Sequence, residues 1–126
     1  MIAGVGTDLV HAGQLPACVL QPGDPFYEHT FTQAEREIAA SRTDPIAFLR
    51  GRFAGKEAVF KALRANPDEL KRWDAIEILS DANGAPVAHL HRAMAQRAHE
   101  LGVCALHLSL SNDDGDYLAF CVAECR

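Results

Sequence analysis

The segment of the chain that carries the most chemical information is the run GRFAGKEAVFKAL at residues 51–63. Its composition favours a helix, yet it places the carboxylate of Glu57 among several cations. On a helix that advances about 100° per residue, four charged side chains fall within about 60° of one another: Arg50, Glu57, Lys61 and Arg64. Such a face is either a solvated surface with weak pairs between residues four positions apart, or a binding face for a metal ion and phosphate groups.

A second carboxylate, Asp8, follows an apolar run at residues 1–7 that contains two glycines. We predict that this run forms a short buried strand ending at Asp8, where the glycines allow the backbone to approach a ligand closely. By itself Asp8 would suit a turn or a helix cap. Together with Glu57 it supplies the pair of carboxylates that Mg²⁺ commonly uses, and Lys61 would neutralise charge on a phosphate bound to the ion. The combination therefore favours a magnesium and phosphate site.

A third polar segment lies near the C-terminus, in the run LSLSN at residues 108–112. Because side chains alternate along a strand, Ser109 and Ser111 share one face of the predicted sheet, and Asn112 comes at the end of the strand. These groups either hydrogen-bond a ligand or provide ordinary sheet polarity. The aspartates that follow lack the closing glutamate of a calcium-binding loop, so we interpret them as turn residues.

Local signals predict the elements that must position these residues. Thr32 and Glu35 form the pattern of a capping box, which predicts a helix at residues 33–41. Asp44 and Pro45 predict the start of a long helix that continues to about residue 65. The remaining predicted elements are strands at 76–79 and 86–88 around an Asn83-Gly84 turn, a helix at 89–101, and strands at 103–111 and 117–124. Their order predicts an α+β fold, with a small antiparallel sheet packed on one long helix and shorter helices.

The composition restricts the class of protein. With 126 residues, 48% of them hydrophobic, the chain has the length and apolar content of a single domain spanning residues 1–126. Its formal net charge of -5 argues against broad binding of nucleic acid. The four cysteines have neither zinc-site spacing nor the density of a disulfide framework, and no segment has the roughly 20 apolar residues of a membrane span. We therefore expect a soluble, cytoplasmic protein without a nucleic-acid or membrane partner.

Three ordered blocks of the sequence resemble the holo-acyl-carrier-protein synthase group of the 4′-phosphopantetheinyl transferases. They are GVGTDLV at residues 4–10, FLRGRFAGKEAVFKAL at residues 48–63 and LSLSN at residues 108–112, and the middle block is highly specific. The resemblance implies the fold of that family and an Mg²⁺-dependent transfer of the 4′-phosphopantetheine arm from coenzyme A to a serine of an acyl or polyketide carrier protein, which releases adenosine 3′,5′-bisphosphate. It also implies a homotrimer with active sites between neighbouring chains.

By position in these blocks, the resemblance implies that Asp8 and Glu57 are the metal ligands and, with Lys61, the catalytic residues. It also implies that Lys61 contacts the pyrophosphate and that Arg52 contacts a phosphate, although Arg52 and Glu57 point to different sides of the predicted helix. The other residues assigned to coenzyme binding are Arg50, Arg64, Ser109, Ser111 and Asn112. The base that accepts the serine proton stays open, with Glu57 acting through a metal-bound water as one candidate.

The sequence departs from the family pattern after the first block. Members of this group commonly have an arginine-bearing helix there, whereas residues 11–20 contain no lysine or arginine. We therefore hypothesise an apolar contact with a less acidic carrier protein, made through Leu15 and Leu20. In addition, Asn112 stands where many relatives have histidine, and residues 64–67 replace a glycine-rich turn.

Two other functions are compatible with the same motifs. One is a non-catalytic domain of the same fold that binds coenzyme A or a carrier protein. The other is a metal-dependent phosphohydrolase that uses the cation cluster with water as the nucleophile. The joint presence of Asp8, Glu57 and Lys61 favours the transferase over a binding domain, because binding alone does not need a pair of metal ligands.

Overall fold

The computed structural model describes every residue from Met1 to Arg126. In chain order the elements are β1 (Ile2–His11), α1 (Pro25–Thr30), α2 (Gln33–Ala40), α3 (Pro45–Ala62), α4 (Pro67–Leu70), β2 (Ile76–Ser80), β3 (Pro86–Leu90), α5 (Arg92–Leu101), β4 (Val103–Asp113) and β5 (Asp116–Cys125). Single turns of 3₁₀-helix lie at Ala12–Gln14, Ala17–Val19 and Trp73–Ala75. None of the helices is both long and apolar enough to cross a membrane.

The strands form two antiparallel sheets. The larger sheet has the order β1-β5-β4, and β2 pairs with β3 in the smaller one. Helix α3 lies across one face of the larger sheet, contacts all three of its strands and also contacts β2. The predicted α+β architecture, with one long helix on antiparallel strands, is thus confirmed, although the strands belong to two sheets and not to one.

Helix α3 begins where its local sequence predicts. Asp44 caps the helix by accepting a hydrogen bond from the backbone N–H of Ala47, and Pro45 occupies the first turn, where its missing N–H is not needed. The helix ends at Ala62, earlier than predicted, because Arg64 adopts a positive φ of 52° that an α-helix cannot accommodate.

Two glycines of β1 allow the strand to lie directly on the backbone of α3. A Cβ atom added to Gly4 would stand 2.1 Å from the carbonyl oxygen of Ala62, and one added to Gly6 would stand 2.0 Å from that of Ala58. Both distances are far below van der Waals contact, so only glycine permits this approach. The expectation that these glycines admit a ligand is wrong, because the space beside them is filled by the helix.

A buried ion pair joins three elements of the interior. The side chains of Lys56 on α3 and Glu35 on α2 are both 0% exposed, and Nζ of Lys56 lies 2.8 Å from Oε1 of Glu35. Lys56 also donates to the carbonyl oxygen of Ile76, and Oε2 of Glu35 accepts from the backbone N–H of Ile78 at 2.8 Å. Burial lowers the pKa of Lys56, and the Glu35 carboxylate opposes that shift. The pair therefore connects α2, α3 and β2 inside the core.

Two element boundaries differ from the prediction near the site. Strand β1 does not end at Asp8, which lies inside the ladder with β5, and the pairing continues to His11. The helix predicted at 89–101 starts only at Arg92, because His89 belongs to β3 and pairs in the smaller sheet. In both cases a cross-strand partner extends a strand further than local sequence signals indicate.

Asn112 also lies within a strand, where it pairs with Tyr117, so the turn between β4 and β5 is shorter than predicted. The short helices α1 and α4 go beyond the prediction. Each begins at a capping side chain followed by proline: Asp24 accepts from the backbone of α1, and Asn66 accepts from the backbone of α4. The same signal that opens α3 therefore opens two further helices.

Candidate active site

Asp8 lies on the face of β1 that packs on α3, because it shares the alternation of Gly4 and Gly6. Its side chain is 10% exposed, and its Oδ1 atom accepts a hydrogen bond of 3.1 Å from Nζ of Lys61. Nζ of Lys61 also donates to the carbonyl oxygen of Thr7 at 3.0 Å. The second oxygen of Asp8, Oδ2, is buried and has no hydrogen-bond partner. A buried carboxylate oxygen without a partner is costly, which makes this atom a candidate ligand to a cation.

Glu57 projects from α3 into a cleft beside Asp8. The cleft, called here the carboxylate cleft, is lined by Asp8, Leu9, Val10, Gln14, Leu15, Phe53 and Glu57. Burial, followed by the hydrogen bond and the charge of Asp8, raises the pKa of Glu57 to about 8, while Lys61 acts in the opposite direction. Without a cation, Glu57 is therefore protonated at neutral pH, and this proton takes the place beside Asp8 that a cation would otherwise occupy. A cation that binds both carboxylates would displace this proton.

The donors of this cleft fit a hard divalent cation that takes few ligands from the protein. No group of three or more His, Cys, Asp or Glu side chains is placed to enclose a metal ion. Mg²⁺ is commonly held by one or two carboxylates and completes its octahedron with waters and substrate phosphate oxygens. Asp8, with its unpaired Oδ2, and Glu57 offer such a pair, with Lys61 beside them. The structure thus brings Asp8 together with Glu57 and Lys61, which lie far from it in the sequence.

Arg52 faces a second, separate cleft, called here the arginine cleft. Arg52 is 7% exposed. Its Nη2 donates to Oγ of Ser80 at 2.8 Å, and its Nε is buried without a hydrogen-bond partner. The guanidinium groups of Arg52 and Arg42 lie 4.5 Å and 5.0 Å from the ring centroid of Phe48. The residues that line this cleft are Ala47, Phe48, Gly51, Arg52, Leu110, Ser111, Asn112 and Tyr117.

The arginine cleft has the properties of an anion site. Burial lowers the pKa of Arg52, and Glu35 opposes the shift, yet an arginine guanidinium stays charged at neutral pH. A buried cation with an unsatisfied N–H group gains most from an anionic acceptor. Ser111 and Asn112 lie at the same cleft, so the structure joins them to Arg52 and not to Asp8.

The other residues assigned to coenzyme binding lie in neither cleft. Arg50 is half-buried, and its Nε donates to the carbonyl oxygen of Leu15 at 2.9 Å, next to the carboxylate cleft. Arg64 is exposed beyond the end of α3. Ser109 is exposed on the outer face of the larger sheet, opposite Phe120. These three assignments therefore lack a common cleft within one chain.

The hypothesis of an apolar carrier contact through Leu15 and Leu20 is wrong. Leu15 is 6% exposed and Leu20 is 2% exposed, and both belong to the hydrophobic core. Without a regular helix in this segment, periodicity could not show which of its leucines point inward. The exposed positions here include Gln14 and Gln21, which are polar and uncharged.

Some site residues have no clear signal in the sequence. Gln14 lines the carboxylate cleft, and its Oε1 accepts from the backbone N–H of His11 at 2.9 Å. Ser80 reaches Arg52 only because β2 lies against α3, which no local pattern predicts. Phe48 is different: it precedes Arg52 by four residues, so helical spacing could have predicted their stacking.

Comparisons with known proteins find relatives along almost the whole chain. The family model of the 4′-phosphopantetheinyl transferase superfamily matches residues 4–122. The holo-[acyl-carrier-protein] synthase of Serratia proteamaculans is 34% identical over 112 residues, which cover 89% of this chain and 89% of that protein.

Solved structures agree with this relationship. The crystal structure of holo-[acyl-carrier-protein] synthase from Neisseria meningitidis has a TM-score of 0.87 at 31% identity and covers 98% of this chain and 99% of its own. The ACPS-CoA complex from Chronobacterium ammoniagenes has a TM-score of 0.81 at 30% identity, with 98% and 97% covered. The resemblance carried by the three sequence blocks is thereby confirmed. The chain belongs to the 4′-phosphopantetheinyl transferase superfamily, as an enzyme of the holo-acyl-carrier-protein synthase type.

Proposed function

We propose that this enzyme transfers the 4′-phosphopantetheine arm of coenzyme A to a serine of an acyl or polyketide carrier protein, with Mg²⁺ as cofactor and adenosine 3′,5′-bisphosphate as the second product. The observation that carries the proposal is the unpaired, buried Oδ2 of Asp8 beside Glu57 and Lys61. Coenzyme A is supported as the donor by the complex of the Chronobacterium ammoniagenes relative. The reaction would take place in the cytoplasm.

Asp8 and Glu57 would hold the Mg²⁺ ion in this scheme. When bound, Mg²⁺ supplies Lewis-acid stabilisation of charge on the diphosphate. Asp8 offers Oδ2, and Glu57 becomes available once it loses the proton that it shares with Asp8. Binding of Mg²⁺ and protonation of the Asp8–Glu57 pair therefore exclude each other, and the cation competes with the proton for the same carboxylates.

Lys61 would stabilise the leaving group. Its side chain is 52% exposed, and the bonds to Asp8 and Thr7 fix the ammonium at the edge of the carboxylate cleft. An ammonium has three donors, so Lys61 can also meet a diphosphate oxygen as negative charge develops there. Phosphoryl transfer depends on such positioning and charge stabilisation more than on covalent chemistry by the protein.

The hydroxyl of the carrier serine must lose a proton during the attack. Once a bound cation has displaced its proton, Glu57 presents a carboxylate within the cleft. A positioned carboxylate can accept a proton through one water. We assign the proton to Glu57, received through a water.

We propose further that the active unit is a homotrimer in which the carboxylate cleft of one chain faces the arginine cleft of its neighbour. Four large apolar side chains support a subunit contact: Val5, Leu9, Leu118 and Phe120 are 56%, 50%, 46% and 47% exposed. Their strand positions put them on the face of the larger sheet opposite α3. An exposed apolar face of this kind is typical of a protein interface. Arg52, Ser111 and Asn112 of the neighbour would then bind phosphate groups of the same coenzyme.

Transfer is tested by incubating the protein with coenzyme A, Mg²⁺ and purified apo carrier proteins, followed by mass spectrometry of the carriers. A gain of one phosphopantetheine arm, together with adenosine 3′,5′-bisphosphate, is expected. Cleavage of coenzyme A without carrier modification would instead show a phosphohydrolase. Binding without either product would show a non-catalytic domain. Omission of Mg²⁺ in the presence of a chelator should abolish the reaction.

The shared site is tested by mixing two inactive variants, Asp8→Asn and Arg52→Gln, after dissociation and reassembly. In a ring with sites between neighbours, random mixing restores both wild-type residues at about a quarter of the sites. Recovery of about that fraction of activity is expected. No recovery from a mixture that sediments as trimers would refute the shared site and leave the transfer reaction itself untouched.

A further inference from the structure

The proposed reaction divides the carboxylate cleft into two sides along α3. The rise of about 1.5 Å per residue puts Lys61 about 6 Å from Glu57 toward the C-terminus of the helix, and Arg50 about 10 Å from Glu57 toward the N-terminus. Lys61 is bonded to Asp8, and Arg50 is bonded to the backbone of Leu15. The two cations therefore flank the acidic pair from opposite directions.

In phosphoryl transfer the nucleophile and the leaving group are roughly in line on opposite sides of the phosphorus atom. If Lys61 stabilises the 5′-phosphate of the leaving adenosine 3′,5′-bisphosphate, the serine must come from the other side, where Gln14, Leu15 and Phe53 line the cleft. Since the serine belongs to a protein, the surface of that protein must pass over this side. Arg50 lies there.

Arg50 has the chemistry of a docking residue. Its Nε is occupied by the carbonyl oxygen of Leu15, which fixes the plane of the guanidinium. It is half-buried and takes part in no ion pair of the chain, in contrast to Arg36, Lys56 and Lys61, which each pair with a carboxylate. The terminal nitrogens stay available as a planar pair of donors, which matches the two oxygens of a carboxylate.

The segment beside Arg50 on this side of the carboxylate cleft provides no other lysine or arginine. Residues 11–20, which cross this side of the cleft, contain neither lysine nor arginine. We propose that Arg50 is the carrier-docking cation of this enzyme, which binds a carboxylate of the carrier protein and directs its serine toward the cleft. The inference rests on the proposed transfer reaction, and it assigns Arg50 to the carrier and not to coenzyme A.

The test is steady-state kinetics of Arg50→Gln and Arg50→Lys, with purified apo acyl carrier protein and coenzyme A varied separately. Because a rim charge acts on encounter and docking, the KM for the carrier should rise about tenfold in Arg50→Gln. The KM for coenzyme A and kcat should stay within about twofold of wild type. Arg50→Lys keeps the charge but loses the planar fork, so it should show a smaller rise. Added salt should raise the carrier KM of the wild type and change that of Arg50→Gln much less.

Arg126→Gln is the matched control, since it removes the same charge at the exposed C-terminus, beyond the far end of β5 from the cleft. It should leave both KM values unchanged. A rise in the KM for coenzyme A in Arg50→Gln, or an unchanged KM for the carrier, would overturn the inference. If the wild-type enzyme modifies no carrier protein, the proposed transfer reaction itself is wrong, and with it the basis of the role given to Arg50. Equal melting temperatures of the variants exclude a loss of folding as the cause.

Discussion

Two lysines on α3 each pair with a carboxylate, and their surroundings are opposite. Lys56 and Glu35 are 0% exposed, and every oxygen of Glu35 has a donor. Lys61 is 52% exposed, and Asp8 keeps a buried oxygen without a partner. The first pair is complete within the chain, whereas one oxygen of the second lacks a donor unless Glu57 holds a proton or a cation binds. Both lysines form an ion pair, so the ion pair alone does not distinguish the structural lysine from the functional one. The difference is whether every carboxylate oxygen of the pair has a hydrogen-bond donor.

The largest expected effect belongs to the incomplete pair. Glu57→Gln should lower kcat/KM for transfer by about 10⁴-fold, equivalent to about 5 kcal/mol, because it removes a proposed metal ligand and one of the two carboxyl groups of the cleft. Mass spectrometry of the carrier protein measures the rate. Glu100→Gln, at an exposed carboxylate of α5, is the control and should keep full activity. Activity of Glu57→Gln within tenfold of wild type would remove the metal assignment.

The complete pair should control stability. Lys56→Met leaves the charge of Glu35 buried without its cation, and such a change costs about 3 to 5 kcal/mol of unfolding free energy. Lys61→Met is the matched control, and a pair whose lysine is 52% exposed is screened by water and is worth about 1 kcal/mol or less. Urea unfolding measures both. Equal losses in the two variants would show that the contrast between the pairs does not hold.

The position of the incomplete pair depends on the contact between β1 and α3. Gly6→Ala should destabilise the fold by about 2 to 3 kcal/mol, because its Cβ would meet the carbonyl oxygen of Ala58 at 2.0 Å. The strand must then move away from the helix, so transfer should fall together with stability. Gly13→Ala, with nothing within 4 Å of the added atom, should change the unfolding free energy by less than about 0.5 kcal/mol. If the Gly6→Ala variant is fully active and melts at the wild-type temperature, the contact between β1 and α3 does not position the pair.

The smallest expected effect is a pH dependence of stability in the metal-free enzyme. Folding raises the pKa of Glu57 from 4.5 to about 8, so between these values the folded state holds a proton that the unfolded chain has lost. The stabilising contribution is therefore complete below about pH 4.5 and is lost as the pH rises toward 8. The slope should stay well below the limit of about 1.4 kcal/mol per pH unit, because the side chain is only half-buried.

Unfolding curves in chelator at several pH values measure this slope. Glu57→Gln should remove it, since the amide does not titrate in this range. An unchanged slope in the variant would assign the proton to another group. Added Mg²⁺ should compete with the proton, and its affinity should increase with pH up to about 8.

The sequence was sufficient for the parts of the fold that depend on local chemistry. The cap at Asp44 and Pro45 predicted the start of α3, and the capping box at Thr32 predicted α2 to within one residue at its end. The types of Asp8, Glu57 and Lys61 also predicted which residues the structure brings together. Their roles in metal binding and catalysis remain predictions that the variants above address.

The sequence did not predict how elements far apart in the chain pack against one another. Polarity alone would put Glu35 and Lys56 at the surface, and only their mutual contact makes burial possible. Leu15 and Leu20 gave no sign of being core residues, because their segment forms isolated turns without a period. The sequence did not predict the arginine cleft either, since the cleft assembles from α3, β4 and β5, and β2 supplies the Ser80 hydroxyl that Arg52 contacts.

The direct contact between β1 and α3 has a consequence for variation within such enzymes. Main-chain atoms of the strand rest on main-chain atoms of the helix at Gly4 and Gly6, with no side chain between them. The spacing of Asp8 from the helix that carries Glu57 and Lys61 is therefore set by peptide geometry, which is the same in every protein. Substitutions among the surrounding apolar residues can therefore change the volume and shape of the nearby core. The relative positions of Asp8, Glu57 and Lys61 stay constant.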